Sequence, residues 1–573
     1  MAAESALTDS QAFRRDQLQL ELAAIEKSKK ALLRGYAIQD EAAHLALLAL
    51  RQKHNTLIPV ARLPPEILAT IFSCLRDIDI PRLIRTSRYE SWTSWTSYGW
   101  LLVTYVCLRW RQVAVQHAEL WRDIHLWYGH EWATRFATRA GNTLITIKAH
   151  DVDGPWQGRF LEDNMWRTQS LHIEGSRKAS FPAIGAQAPF LHTLDIMLSN
   201  PSSIPDCFLG RSAPALRHMR FTSAGVGHMP WSLPPFRHLI SLQLNDHFAL
   251  LEDVLDGLSH MSTLERLCMC LGNYPNVRPT PAPVALAKLA HLELEGSALN
   301  ASIFLRHILL PSHAIIRFEL YDRKLDDLDE FFPVALESVH SHAASGICNA
   351  ITSLAINASF SSTSRATKLA INARKDNSAP HEPTLYLHFA YSSPTFSTLV
   401  PMVIRAFSSA HLKELMVVNT HHTFDGHAWA HSVGRAPGLR SLTVAGNSVI
   451  SFCAALRLAN TSSPPHARAP GDESPVPPFL PHLSVLILSD MRLGIDGAAI
   501  DAELEDEDER LADALPLRLA ERTAAGYTLQ ELDVVGCDVD AAWVTRTREA
   551  LPGTRVKWDE GARERARAET TAT

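Results

Sequence analysis

At 573 residues, with a formal net charge of -6 and a pI near 6.5, the chain is too long for one hydrophobic core and has no broad basic field. About two or three domains of soluble globular composition are expected, and neither nucleic acid nor an anionic membrane is the default partner. The eight cysteines, Cys74, Cys107, Cys207, Cys268, Cys270, Cys348, Cys453 and Cys537, form no C-x-x-C pair and read as buried free thiols of a reducing compartment.

The opening residues run into Arg14-Arg15-Asp16 without the apolar core of a signal peptide. No uninterrupted apolar run reaches the length of a bilayer span, so a cytoplasmic and/or nuclear location is expected. From Gln17 to about His54 good helix formers carry Leu18, Leu22, Ile25, Leu32, Leu33, Ile38, Leu45 and Leu48. That spacing predicts one long or two shorter helices packing back on the next segment, with a self-associating coiled coil as the alternative. Lys27, Lys29 and Lys30 read as a solvated helix face.

Two helices are legible between Arg62 and Trp121. In the first, Pro64-Pro65 fixes φ where a first-turn residue needs no N-H donor, and Glu66 meets the positive end of the helix dipole. Ile67, Leu68, Ile71, Phe72 and Leu75 follow at helical spacing. The second carries Val103, Val106, Cys107, Trp110, Val113 and Ala114, with Arg109, Arg111 and Gln112 between them.

The joint pattern, Leu63-Pro64-x-Glu66-Ile67-x-x-x-Ile71-Phe72 and then Val106-Cys107-x-x-Trp110-Arg111-x-Val113-Ala114 with Leu120-Trp121, resembles the F-box, and is most similar to the F-box-like proteins of basidiomycete fungi. An F-box is a three-helix module that docks on the Skp adaptor of cullin-RING ubiquitin ligases. The resemblance implies that Leu63, Pro64, Pro65, Ile67, Leu68, Ile71, Phe72 and Leu75 lie at or near the adaptor surface. It implies that Val106, Cys107, Trp110, Arg111 and Trp121 close the module's own core. Leu108 stands where the family usually has a basic residue, and Asp77 to Trp100 is an insertion that leaves the middle helix poorly placed.

Beyond Trp121 one phrase returns: apolar, two residues, apolar, one residue, apolar. It begins at Leu191, Leu216, Leu239, Leu264 and Leu289 with a period of about 25 residues, inside the leucine-rich-repeat range. Further copies start at Ile351, Leu412, Leu439, Leu483 and Leu529. Pro189, Pro214, Pro437 and Pro481 separate a turn from the strand that follows. The last two apolar residues of each phrase point to one face of a strand that only stacked neighbours can cover. The expected fold is α/β: an N-terminal helical F-box module, then an irregular leucine-rich-repeat-like α/β solenoid with a parallel sheet. Leu194, Met219, Leu242, Leu267 and Leu292 should be buried beside the leading leucines. Asp195, Arg220, Gln243 and Glu293 should face solvent and form the target-binding face.

The expected organisation is 1-58 helical or coiled, 59-126 F-box-like with its insertion at about 77-100, 127-560 repeat domain and 561-573 disordered tail. The segment Ala467 to Pro475 reads as a flexible insertion, and the acidic run Asp501 to Arg510 as a solvated loop. No phosphate loop, nucleophile elbow or dinucleotide fingerprint occurs. His130-Glu131 and His381-Glu382 lack the second His of a zinc-protease motif. His192, His218 and His291 fall at strand or edge positions on a solvated face. No catalytic residue, metal or cofactor is expected. The function expected is a non-enzymatic substrate receptor of a Skp/cullin/F-box ubiquitin ligase, partnered by the Skp adaptor, cullin and a protein target. The alternative is a repeat scaffold outside any ligase.

Overall fold

The computed structural model describes residues 20, 23-32, 34-35, 41-47, 49, 59-85, 93-150, 155-175, 184-198, 207-223, 234-246, 251-271, 283-311, 313-320, 351-361, 366-375, 385-391, 404, 411-418, 426-434, 436-461, 479-491 and 511-559. The chain divides into two units, Met1–Thr146 and Ile147–Thr573. The expectations for the Ala467 insertion, the Asp501 run, the tail from 561, Cys348 and His381-Glu382 fall outside the described residues.

In the first unit, residues 23-32 and 41-47 are helical, and Leu20, Ile25, Leu32, Leu45 and Leu47 are all exposed. The packing expected for these helices is therefore absent among the described residues. Helix α1 spans Pro65–Ile78 with Pro64 at its N-cap and Glu66 in its first turn. A turn of the α-helix advances 100° per residue, so Leu68 and Phe72 share one stripe and Ile67 and Ile71 another. The first pair is fully buried and the second exposed. Within the expected insertion, strands β1 (Arg82–Arg85) and β2 (Thr93–Ser97) pair antiparallel. A 3-10 turn at Gly99–Leu102 then leads into the short helix α2, Val103–Val106, and on to α3, Leu108–Gln116.

The unit continues through a 3-10 turn at Ala118–Trp121, strand β3 (Asp123–His125) and helix α4 (His130–Ala140). Phe136 of α4 meets Trp121 at 5.0 Å and Trp100 at 6.1 Å between ring centroids. These three buried rings form one core. Residues past 126, expected to open the repeat domain, thus help build the helical unit. Strand β4, Ile145–His150, runs across the boundary between the units.

The second unit opens with helix α5 (Pro155–Asn164) and is organised by one mostly parallel sheet. Strands β5 (Thr168–Gly175), β6 (Thr193–Leu198), β7 (His218–Ser223), β8 (Ser241–Asp246), β9 (Arg266–Cys270), β11 (His291–Gly296) and β13 (Ile315–Leu320) pair in parallel, in that order. A minor parallel pair, β10 (Val284–Ala285) with β12 (Ile308–Leu309), stands apart from it. The leading residues of the phrase sit where a turn closes on the residue three positions earlier. Leu191 donates to Ala188, Leu216 to Ala213, Leu239 to Phe236, Leu264 to Met261, Leu289 to Leu286, Leu439 to Ala436 and Leu483 to Leu480. Pro189, Pro214, Pro437 and Pro481 each follow the acceptor, the position where a fixed φ favours a β-turn. Leu191, Leu216, Leu239, Leu264 and Leu289 are buried, as are Leu194, Met219, Leu242, Leu267 and Leu292. Each such side chain contributes about 1.5–3 kcal/mol of burial, and none of the strands could obtain that alone.

The middle of the sheet departs from chain order. Strand β14 (Ile351–Ser361) pairs antiparallel with β15 (Ala366–Lys375), which pairs antiparallel with β16 (Leu385–Tyr391). It is β16 that pairs with β13, and β14 that pairs with β17 (Glu414–Val418). The order is therefore β13-β16-β15-β14-β17, a correction to a uniform array in chain order and to an all-parallel sheet. Parallel pairing then resumes through β18 (Ser441–Ala445), β19 (Val485–Ser489), β20 (Glu531–Val535) and β21 (Arg555–Trp558).

Four more helices follow, each with buried residues. They are α6 (Leu251–Ser259), α7 (Ala298–Arg306), α8 (Gly426–Ser432) and α9 (Ser448–Thr461), with α7 packed on β11 and α9 on β18. Helix α10 (Leu511–Ala524) packs on α9 and α11 (Ala541–Ala550) on α10. Arg522 is buried between them and the strand turns, donating to the Leu480 and Tyr527 carbonyls. Burial pulls its guanidinium down to about 10, and the two carbonyls offset that cost.

Candidate functional site: an apolar helix surface and an open sheet face

Each unit presents one surface of interest. In the helical unit, Cys107 is extended and ends α2, and its Sγ accepts from the Trp110 backbone N-H at 3.5 Å. The cysteine of the Cys-x-x-Trp motif is thus the N-cap of α3. Trp110 is half-buried with its ring 5.1 Å from Phe72. Arg109 donates to the Leu63 carbonyl, tying α3 to the entry of α1. Trp121 is fully buried, its indole N-H donates to the Ala114 carbonyl at 2.8 Å, and the Arg139 guanidinium lies 4.2 Å over its ring. Burial, reinforced by Arg135 and Arg111, lowers the Arg139 pKa.

The residues expected at the adaptor surface fall into three groups. Pro64, Pro65, Ile67 and Ile71 are exposed, and Leu63 and Leu75 are half-buried. Leu68 and Phe72 are corrected to the interior, since they lie on the stripe turned towards α3. Among the expected core residues, Trp121 is buried, while Cys107 and Trp110 are half-buried. Val106 is 58% exposed, and Arg111 is exposed with its guanidinium over the Tyr105 ring. Both are corrected to the surface, Val106 because the break at Cys107 resets the helical phase and Arg111 because it stands between the apolar positions of α3. With Leu102, Tyr105 and Leu108 also exposed, the unit carries large apolar side chains in water on α1 and on the α2-α3 segment.

Arg76, Trp100 and Phe136 were not singled out by sequence reasoning. Arg76 is buried, donates to the Glu119 carbonyl at 2.7 Å and lies 3.6 Å from Asp123. It pins α1 to the turn that carries Trp121. Its position one turn after Phe72, on the buried stripe, was the available signal.

In the second unit the face opposite the helices carries one residue of each strand in a continuous register. From β5 to β16 the row reads His172, Asp195, Arg220, Gln243, Cys268, Glu293, Arg317 and Tyr386. It continues through Asn372, Ala355, Met416, Thr443, Ile487, Asp533 and Lys557. The first part is a ladder of mutual contacts. Asp195 lies 3.4 Å from His172 and 3.8 Å from Arg220, and Arg220 donates to Gln243 at 2.8 Å. Cys268 donates to Glu293 at 3.5 Å, and Arg317 lies 3.4 Å from Glu293 and 2.9 Å from Glu319. Burial first, then the Glu293 carboxylate, pushes the Cys268 thiol up to about 11.

From β14 to β19 the same face changes character. Ala355, Met416, Thr443 and Ile487 stand in register, with Val418 and Val485 beside them. Glu414 is the one charged side chain at the described outward positions of β17 to β19.

The thiols divide as well. Cys270, Cys453 and Cys537 are buried, whereas Cys74 and Cys207 are exposed, a correction to uniform burial. Among the described residues no three His, Cys, Asp or Glu side chains are grouped to hold a metal ion, and no helix is long and apolar enough to cross a membrane. Comparison with known protein families and with curated proteins returns no match.

Proposed function

We propose that the chain is the substrate-recognition subunit of a Skp/cullin/F-box ubiquitin ligase. The helical unit would dock on the Skp adaptor, and through it on cullin, while the sheet of the second unit holds a protein target. One observation carries this reading. The Leu-Pro-Pro-Glu entry begins a helix whose Ile67 and Ile71 stay exposed on the stripe beside a buried Leu68 and Phe72, in a unit that also leaves Tyr105 and Val106 exposed. A small unit rarely leaves that much large apolar side chain in water unless a partner covers it. The recurring turn-and-strand unit supports reading β5–β13 and β17–β21 as two runs of an irregular leucine-rich-repeat solenoid, interrupted by the β14–β16 meander. Such a protein does no chemistry. It accelerates ubiquitin transfer by holding a target lysine near the charged conjugating enzyme, so that a bimolecular encounter becomes effectively intramolecular.

A non-ligase repeat scaffold is the second reading. The β1-β2 hairpin favours it, because it stands between the two halves of the F-box motif. Co-purification of the full chain with a Skp adaptor separates the two. Wild type should retain the adaptor, and Ile71→Asp should lose it with no change in far-ultraviolet circular dichroism, since a charge is costly at the centre of an apolar interface but not on an exposed helix face. Wild-type protein that is folded yet retains no adaptor leaves the scaffold reading standing.

A further inference from the structure

We propose that the target docks on the outer face of the sheet over β17–β20, and that what docks is a polypeptide segment with apolar side chains flanked by Lys or Arg. This rests on the reading of the second unit as the target-binding part. The sequence points to the β6–β11 stretch, but the charges there are committed to one another. Asp195 is bracketed by His172 and Arg220, and Arg317 by Glu293 and Glu319. A ligand seated on that ladder must break these contacts before it makes its own, which leaves little net gain.

Over β17–β20 the balance differs. Met416 is 41% and Val535 42% exposed, with Thr443 and Ile487 in register between their strands. A parallel sheet normally has both faces covered, so apolar side chains left open on one of them invite a covering segment. Charge then selects the segment. Glu414 is exposed at one side of the patch and Asp533 half-buried at the other, and neither has an ion-pair partner among the described residues. Lys557, the neighbour of Asp533 in register, pairs instead with Glu531. Two carboxylates without an ion-pair partner among the described residues, around an apolar centre, favour basic flanks and repel acidic ones. The same charges disfavour two other occupants. The acid-rich run from Asp501 to Glu509 of this chain has the wrong sign, and a second copy would set like charges face to face.

Panning a phage-displayed random peptide library on the full chain tests the assignment. Enriched peptides should carry an apolar core with Lys or Arg beside it. Measured by fluorescence anisotropy, a synthetic copy of the leading peptide should bind Ile487→Glu about tenfold more weakly than wild type. The Glu414→Gln/Asp533→Asn pair should bind it several-fold more weakly and with a smaller salt dependence. Met197→Glu, the same kind of change on the exposed β6 position, should leave the affinity unaltered. Enrichment of acidic or uncharged peptides, no enrichment, or affinity that survives Ile487→Glu would overturn the proposal. So would a concentration-dependent dimer abolished by Ile487→Glu. Adaptor capture measured on the same variants keeps the two readings apart: Ile487→Glu should retain the adaptor, and Ile71→Asp should retain the peptide.

Discussion

Gly99 has little freedom to change. Its φ is +53°, a conformation that side chains other than glycine rarely adopt, and a Cβ built there would stand 2.5 Å from the Asp79 carbonyl oxygen and 2.7 Å from the Pro81 nitrogen. The approach is that close because Trp100, the next residue, donates to the same Asp79 carbonyl at 2.8 Å and inserts its ring beside Trp121. Gly99→Ala should therefore destabilise the first unit by about 1–3 kcal/mol or more, read as a lower midpoint in chemical denaturation followed by tryptophan fluorescence. An unchanged midpoint would mean that the chain does not turn there as described. Nothing in the sequence singled out this glycine, since a turn glycine inside a Ser- and Trp-rich stretch looks the same whether or not another strand of backbone lies against it. The role of Arg109 was hidden for a related reason. Its place between apolar positions carries no sign of a partner, and its bond to the Leu63 carbonyl depends on the packing of α1 against α3.

At the scale of elements, α1 was legible from its entry and its spacing, because proline, glutamate and apolar stripe all act locally. The second helix was legible in composition but not in phase. Val103 to Ala114 read as one periodic run, whereas the backbone is extended at Cys107 (φ -157°, ψ 168°) and two helices meet there at an angle. Val103 and Val113 remain buried on either side of the break, and Val106 is turned outward. A cysteine that caps a helix with its sulfur gives no signal distinct from a cysteine in its core. The contrast between two expected core residues tests this. Trp121→Ala removes a fully buried indole and its bond to Ala114, and should cost the first unit about 3–5 kcal/mol. Val106→Ala should stay within about 0.5 kcal/mol in the same thermal melts, as surface substitutions do. Equal losses would return Val106 to the core and remove the break from α2-α3.

At the scale of the molecule, the repeated phrase reveals which face of a strand is buried and leaves open which strand lies beside it. The phrase at Ile351 is indistinguishable from its neighbours, with Leu354 and Ile356 buried like their counterparts in every other copy. Yet β14 stands three positions from β13, and β16 and β15 fill the gap. The signal was in the strands that lack the phrase. Leu369, Ile371 and Ala373 of β15, like Leu385 and Leu387 of β16, alternate strictly with polar or small residues, the pattern of a hairpin meander rather than of a turn followed by a strand. Because β15 runs antiparallel between β16 and β14, the outer-face register passes through the reversal unbroken, from Arg317 through Tyr386, Asn372 and Ala355 to Met416. Cysteine pairs on that face distinguish this order from the chain order. Glu319 is the register neighbour of His388, one strand spacing or about 5 Å away, inside the range a disulfide can bridge. Asn357 lies on β14, three strand spacings or about 14 Å from Glu319. Mild oxidation of Glu319→Cys/His388→Cys should yield the linked peptide pair on mass-spectrometric mapping, and Glu319→Cys/Asn357→Cys should not. The opposite result would place β14 directly against β13, restore a sheet in chain order, and separate the charged and apolar stretches of its outer face along a different line.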